Sequence, residues 1–182
     1  MTVFHDMRLL YSIIAVLCMH GLIAQDVTQV TPDNGTEQVF RDGEKAYNSD
    51  GYAKAIDLYT QVLTRDPENL NAYLQRGFCY NLHRDYAAAV VDFTDVIERK
   101  GDHLWAYISR GSAYNKLGRY DLALRDFDTV IAIDAKNEEA YNNRGWTRKS
   151  MNDLPGACKD WKASKKLGNA EARIILDNNR CK

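Results

Sequence analysis

Beyond residue 24 the chain carries two histidines, His83 and His103, in separate turns and with no second ligand at metal spacing. There is no CxxC, no HExxH and no Gly-rich phosphate loop. The acidic residues are scattered along helical faces, where solvation accounts for them better than paired acid–base work. No serine or cysteine has the sequence setting of a nucleophile. The residues therefore imply no enzyme, no metal ligands and no cofactor. The polar residues that do recur at fixed spacing are Arg76, Arg110 and Arg144, each before a glycine, and Asp92, Asp126 and Asp160, each before an aromatic. In the first repeated unit both partners are absent together, replaced by Asp42 and Leu58. That joint absence implies an Arg–Asp bridge inside each unit, partly buried and fixing its register, against the alternative of two solvated surface charges.

The elements that position these residues repeat with them. Gly43, Gly77, Gly111 and Gly145 stand 34 residues apart, as do Ala55, Ala89, Ala123 and Ala157. Tyr59, Phe93, Phe127 and Trp161 form an aromatic column, and Tyr73, Tyr107 and Tyr141 another. Tyr52, Tyr86 and Tyr120 form a further column that becomes Leu154 in the fourth unit. Within each unit the apolar spacing is helical and breaks twice. Ser49-Asp50-Gly51, His83-Arg84-Asp85, Leu117-Gly118-Arg119 and Asn152-Asp153 mark turns inside the units. Asp66-Pro67, Lys100-Gly101-Asp102 and Asp134-Ala135 mark the junctions, and Gly168 closes the fourth unit. Each unit is predicted to be two helices of about 13 residues. The small residues should let the two backbones approach, with the aromatic filling the wedge towards the next unit. A lone hairpin cannot bury its apolar face, so neighbours must stack.

This pattern resembles the tetratricopeptide repeat family, over roughly Thr36 to Glu171. The resemblance implies an all-α, right-handed superhelical solenoid of four hairpins over 36–69, 70–103, 104–137 and 138–171. Val39 and Asp42 in the first unit and Arg148 in the fourth depart from the family pattern. A capping helix is expected within 169–182, with Ala172, Ile175 and Leu176 on one face. Cys158 near the start of one helix and Cys181 past the end of the next would lie level if those helices run antiparallel about Gly168. A Cys158–Cys181 disulfide is therefore predicted, with two free thiols as the alternative. Cys79 is left odd and reads as a buried core residue. The segment ACKDWKASKKLG with a final cysteine resembles the ends of exported bacterial members of the family.

The charges nearly cancel, 24 Lys and Arg against 25 Asp and Glu, which speaks against nucleic acid as a partner. Residues 1–24 differ from the rest: Arg8 precedes an apolar run from Leu9 to Ala24, then Gln25-Asp26 turns polar. This describes a secretory signal peptide, with a retained anchor or a lipoprotein at Cys18 as alternatives. Residues 25–35 read as a flexible leader containing an Asn34-Gly35-Thr36 sequon. The expected location is periplasmic or secreted, with membrane contact only if the first segment stays uncleaved.

The family's concave face is formed mainly by the first helix of each hairpin. Its groove columns correspond to Phe40, Glu44, Tyr47 and Asn48 in the first unit, and Leu74, Phe78 and Asn81 in the second. Trp105, Ile108, Ser112 and Asn115 follow in the third, and Asn142, Trp146 and Lys149 in the fourth. The resemblance implies a scaffold that binds a protein or peptide there, as a monomer, with a self-associating subunit of an envelope complex as the alternative. One variant of the family grips a C-terminal carboxylate with Lys, Asn and Arg. Its columns hold Phe40, Glu44, Gln75, Trp105 and Ser109 here, so that clamp is absent.

Overall fold

The structure, a computed structural model, describes residues 34–181; the signal-like segment and most of the leader lie outside them. All regular secondary structure among the described residues is helical. Four antiparallel pairs follow one another: α1 (Asn34–Asn48) with α2 (Tyr52–Arg65), α3 (Leu70–Leu82) with α4 (Tyr86–Arg99), α5 (Leu104–Lys116) with α6 (Tyr120–Ile133), and α7 (Glu138–Ser150) with α8 (Leu154–Lys166). A short α9 (Ala172–Asn178) packs on α8. This is the expected solenoid of four hairpins and a cap. The first helix starts at Asn34, inside the segment read as leader, and α9 lies within the 169–182 span given to the cap and tail. None of the described helices is long and apolar enough to cross a membrane.

The breaks have identifiable physical causes. Asn69, His103 and Asn137 stand 34 residues apart and cap α3, α5 and α7, accepting from the amides of Ala72, Ala106 and Ala140. Asp85 and Asp153 cap α4 and α8 in the same way. The turns inside the hairpins put Asp50, Arg84, Gly118 and Asn152 at positive φ. The next residue's amide then bonds back to Ala46, Tyr80, Tyr114 and Arg148, closing a six-residue cap on each first helix.

Packing repeats on the same period. Tyr59, Phe93, Phe127 and Trp161 are all fully buried. The recurring glycine makes room for that ring rather than for a neighbouring backbone. A Cβ on Gly43, Gly77 or Gly111 would sit 2.8, 2.7 or 2.8 Å from the aromatic ring of its own hairpin. Val62, Val96 and Val130 lie between hairpins against Ala72, Ala106 and Ala140. Ser164 replaces the valine in the last unit, and its hydroxyl donates to the Glu138 carbonyl.

The Arg–Asp spacing forms the bridges inside the hairpins. Arg76, Arg110 and Arg144 each donate from Nε and Nη2 to both carboxylate oxygens of Asp92, Asp126 and Asp160, at 2.7–2.9 Å. A third bond, which the spacing did not reveal, reaches back to the preceding hairpin. Nη1 donates to Thr60, Thr94 and Asp128 in turn. Each arginine therefore fixes both the register of its hairpin and the stacking on the one before. Tyr73, Tyr107 and Tyr141 lie beneath the guanidinium groups, 5.3–5.7 Å away. Arg148, where units two and three have Tyr80 and Tyr114, donates to Asp160 as a second cation. Burial opposes the charge on Arg144, yet its bonds to Asp160 and Asp128 hold its pKa above the ordinary value.

Candidate functional site

The residues expected to line a groove all lie on the first helices of the hairpins, α1, α3, α5 and α7. The structure sorts these residues into three groups. In the first, Glu44, Tyr47 and Asn48 of α1 border a recess of about 280 Å³ together with Tyr59 and Gln75. Phe40 and Phe78 are half-buried and pack edge-on or tilted against Tyr59 and Phe93, with ring centroids 5.3 and 5.5 Å apart. Leu74 fills space between the second and third hairpins. These three are mainly structural.

The second group centres on Trp105, which leaves 59% of its surface exposed. It borders a recess of about 280 Å³ with Lys100, His103, Ile108 and Asn137. Ile108 requires a correction. Only 4% exposed, it is packed among Ala123, Phe127, Val130 and Ala140 and belongs to the core. The helical period brings it one turn past Trp105 but inward, towards the partner helix.

The third group joins the last two hairpins. Asn115 donates to the Thr147 hydroxyl at 2.8 Å across the hairpin boundary. The side-chain oxygens of Asn115 and Asn142 are buried and have no partner. Trp146 is 40% exposed, meets Trp161 edge-on at 5.0 Å, and has the Lys149 ammonium 5.0 Å from its ring centre. Asn81 and Ser112 are half-buried.

Two residues of the first recess lie outside the groove columns: Tyr59 belongs to the core aromatic column, and Gln75 stands at a column of the absent clamp. A signal for Tyr59 existed: it carries a hydroxyl where the next two units have phenylalanine. Cys158 and Cys181 form a disulfide, with Cα atoms 5.4 Å apart. It borders a cleft of about 510 Å³ at the C-terminal end with Leu154, Pro155 and Lys159. Cys79 is a free, fully buried thiol whose pKa burial pushes up to about 11. Among the described residues no His, Cys, Asp and Glu cluster has the makings of a metal site.

The family model described as TPR repeat matches residues 111–152, from the α5 glycine to the last hairpin turn. No curated protein matches the sequence. Among solved structures, MamA aligns with a TM-score of 0.68 at 20% identity, covering 76% of this chain and 85% of that one. MamA from Desulfovibrio magneticus RS-1 (residues 41 to end) aligns at 0.71 and 17%, covering 75% and 77%. The first TPR domain of Spaghetti (RPAP3), bound to the HSP90 peptide SRMEEVD, aligns at 0.61 and 25%, covering 64% and 93%.

Proposed function

We propose that this chain, a tetratricopeptide-type solenoid, is a non-enzymatic scaffold whose first-helix face holds an extended segment of a protein partner outside the cytoplasm. The observation that carries the reading is Trp105. A tryptophan that folding leaves more than half exposed, beside a recess, has the character of an interface anchor. The unpartnered oxygens of Asn115 and Asn142 support it, since they suit the N–H groups of an extended backbone. The peptide on the Spaghetti domain supports the same class of ligand, although Glu44 and Gln75 occupy columns where a carboxylate clamp needs other residues. Export is favoured by the signal-like first segment and by a disulfide, which persists in oxidising compartments. End-to-end self-association has less support, because α9 covers the apolar face of the last hairpin with Ala172 and Leu176.

The test is a pull-down from envelope extracts with the wild type and Trp105→Ala. A partner retained by the wild type should be lost or weakened by about 2 kcal/mol or more in the variant. Identical retention by both proteins would remove the groove as the binding face. Mass that rises with concentration in light scattering would favour the self-associating subunit instead.

A further inference from the structure

In the first two hairpins, polar groups converge where the protein itself does not satisfy them. The recess of about 280 Å³ is lined by Glu44, Tyr47 and Asn48 from α1, Tyr59 from α2 and Gln75 from α3. Tyr59 is 0% exposed, yet its hydroxyl has no hydrogen-bond partner. Among the described residues, none bonds the Glu44 carboxylate or the side-chain amides of Asn48 and Gln75. Neighbouring acids on α1 are engaged: Asp42 accepts from Gln38 and Lys45, and Glu37 pairs with Arg41. Glu44 is therefore a carboxylate held open at the rim of a partly buried polar recess. It is also the only formal charge lining that recess among the described residues.

We propose that this recess binds the cationic side chain of a lysine or arginine in the partner's segment, an assignment that rests on the first-helix face being the binding face. A carboxylate accepts hydrogen bonds only, and the amide and phenol oxygens beside it can accept too. An ammonium offers three donors and a guanidinium five, with no acceptor to leave unpaired. The half-buried ring of Tyr47 beside it adds an aromatic surface that attracts a cation. An anionic side chain would meet Glu44 with no compensating positive charge in the lining.

The surrounding charge agrees in sign. Residues 36–69 contain seven Asp and Glu against four Lys and Arg, and 70–103 five against four. The balance then reverses, to four against five over 104–137 and six against nine over 138–181. Charge thus rises steadily along the solenoid, with the recess at its acidic end. A segment bound along the groove would lie with its basic part over the first hairpin.

The recess can be probed without knowing the partner. N-acetyl-lysine amide, N-acetyl-arginine amide and N-acetyl-glutamate amide are titrated separately into the ¹⁵N-labelled protein. Either cationic compound should shift the amides around Glu44–Asn48 and Gln75 saturably, and the glutamate compound should not. Glu44→Gln, at an exposed position, should weaken binding about tenfold with the rest of the spectrum unchanged. Tyr59→Phe should weaken it less, its ring replaced by the one already used at Phe93 and Phe127. Trp105→Ala should leave it intact, so a failed groove and a failed recess give different results. Equal shifts from the glutamate compound, or unchanged cation binding in Glu44→Gln, would overturn the assignment.

Discussion

Each repeated glycine is a helix-interior residue that intrinsic propensity alone would replace, since alanine is favoured there by about 1 kcal/mol. The Phe93 ring decides otherwise. Phe93 is fully buried, and a Cβ on Gly77 would stand 2.7 Å from its edge, so overpacking of about 1–3 kcal/mol wins. Gly77→Ala should lower the urea midpoint; a rise would show that the ring can shift aside. Cys79 sets a second expectation. Its thiol is held neutral by burial up to about pH 11, whereas an unfolded thiol ionises nearer 9. Between those values the folded state binds more protons than the unfolded one, so stability falls as pH rises. The wild type should lose stability relative to Cys79→Ala above pH 9, by up to about 1.4 kcal/mol per pH unit. A constant difference from pH 8 to 10.5 would contradict this. Below pH 9 the native protein should resist thiol labelling.

The arginine clasp and the disulfide act between elements. Arg110 joins α5 to Asp126 on α6 and to Thr94 on α4, and Asp126 is almost fully buried. Removing the cation leaves that carboxylate unpaired, so Arg110→Ala should cost about 3–5 kcal/mol by chemical denaturation. A loss below about 1 kcal/mol would assign the pair to solvated surface charges. The capping helix depends more on its covalent tie. It has seven residues and buries only Ala172 and Leu176. The Cys158–Cys181 bond closes a loop with a sequence separation of 23 residues, worth about 3 kcal/mol in the unfolded-chain model. Cys181→Ser should lower stability by about that amount and raise hydrogen exchange in α9 while α3–α6 stay protected. Unchanged exchange in α9 would show that side-chain packing alone holds the cap.

Across the whole molecule, each hairpin touches only its neighbours, so protection should follow position. The middle helices α4 and α5 pack against elements on both sides, whereas α1 packs mainly on α2 and α9 mainly on α8 among the described helices. Hydrogen exchange should be slowest in α4 and α5 and fastest in α1 and α9, even with the disulfide intact. Uniform protection from α1 to α9 would instead indicate a single cooperative unit. The charge gradient belongs to this scale as well, because no single hairpin displays it. Long-range attraction to a partner charged in the opposite sense should weaken with added salt.

The 34-residue period alone determined the helical hairpins, their turns and the aromatic core, because each unit repeats the same burial problem with the same residues. The Arg–Asp bridges were legible for the same reason: both partners appear and vanish together within one period. The reach of each arginine to Thr60, Thr94 or Asp128 was not, since that column changes from threonine to aspartate and belongs to the neighbouring hairpin. Within the groove, spacing could select a helix face but not depth. It selected Ile108, which packing buried, and it passed over Tyr59, whose hydroxyl ends beside Glu44. Burial and the convergence of unpaired polar groups depend on how close neighbouring helices come, and only tertiary packing decides that distance.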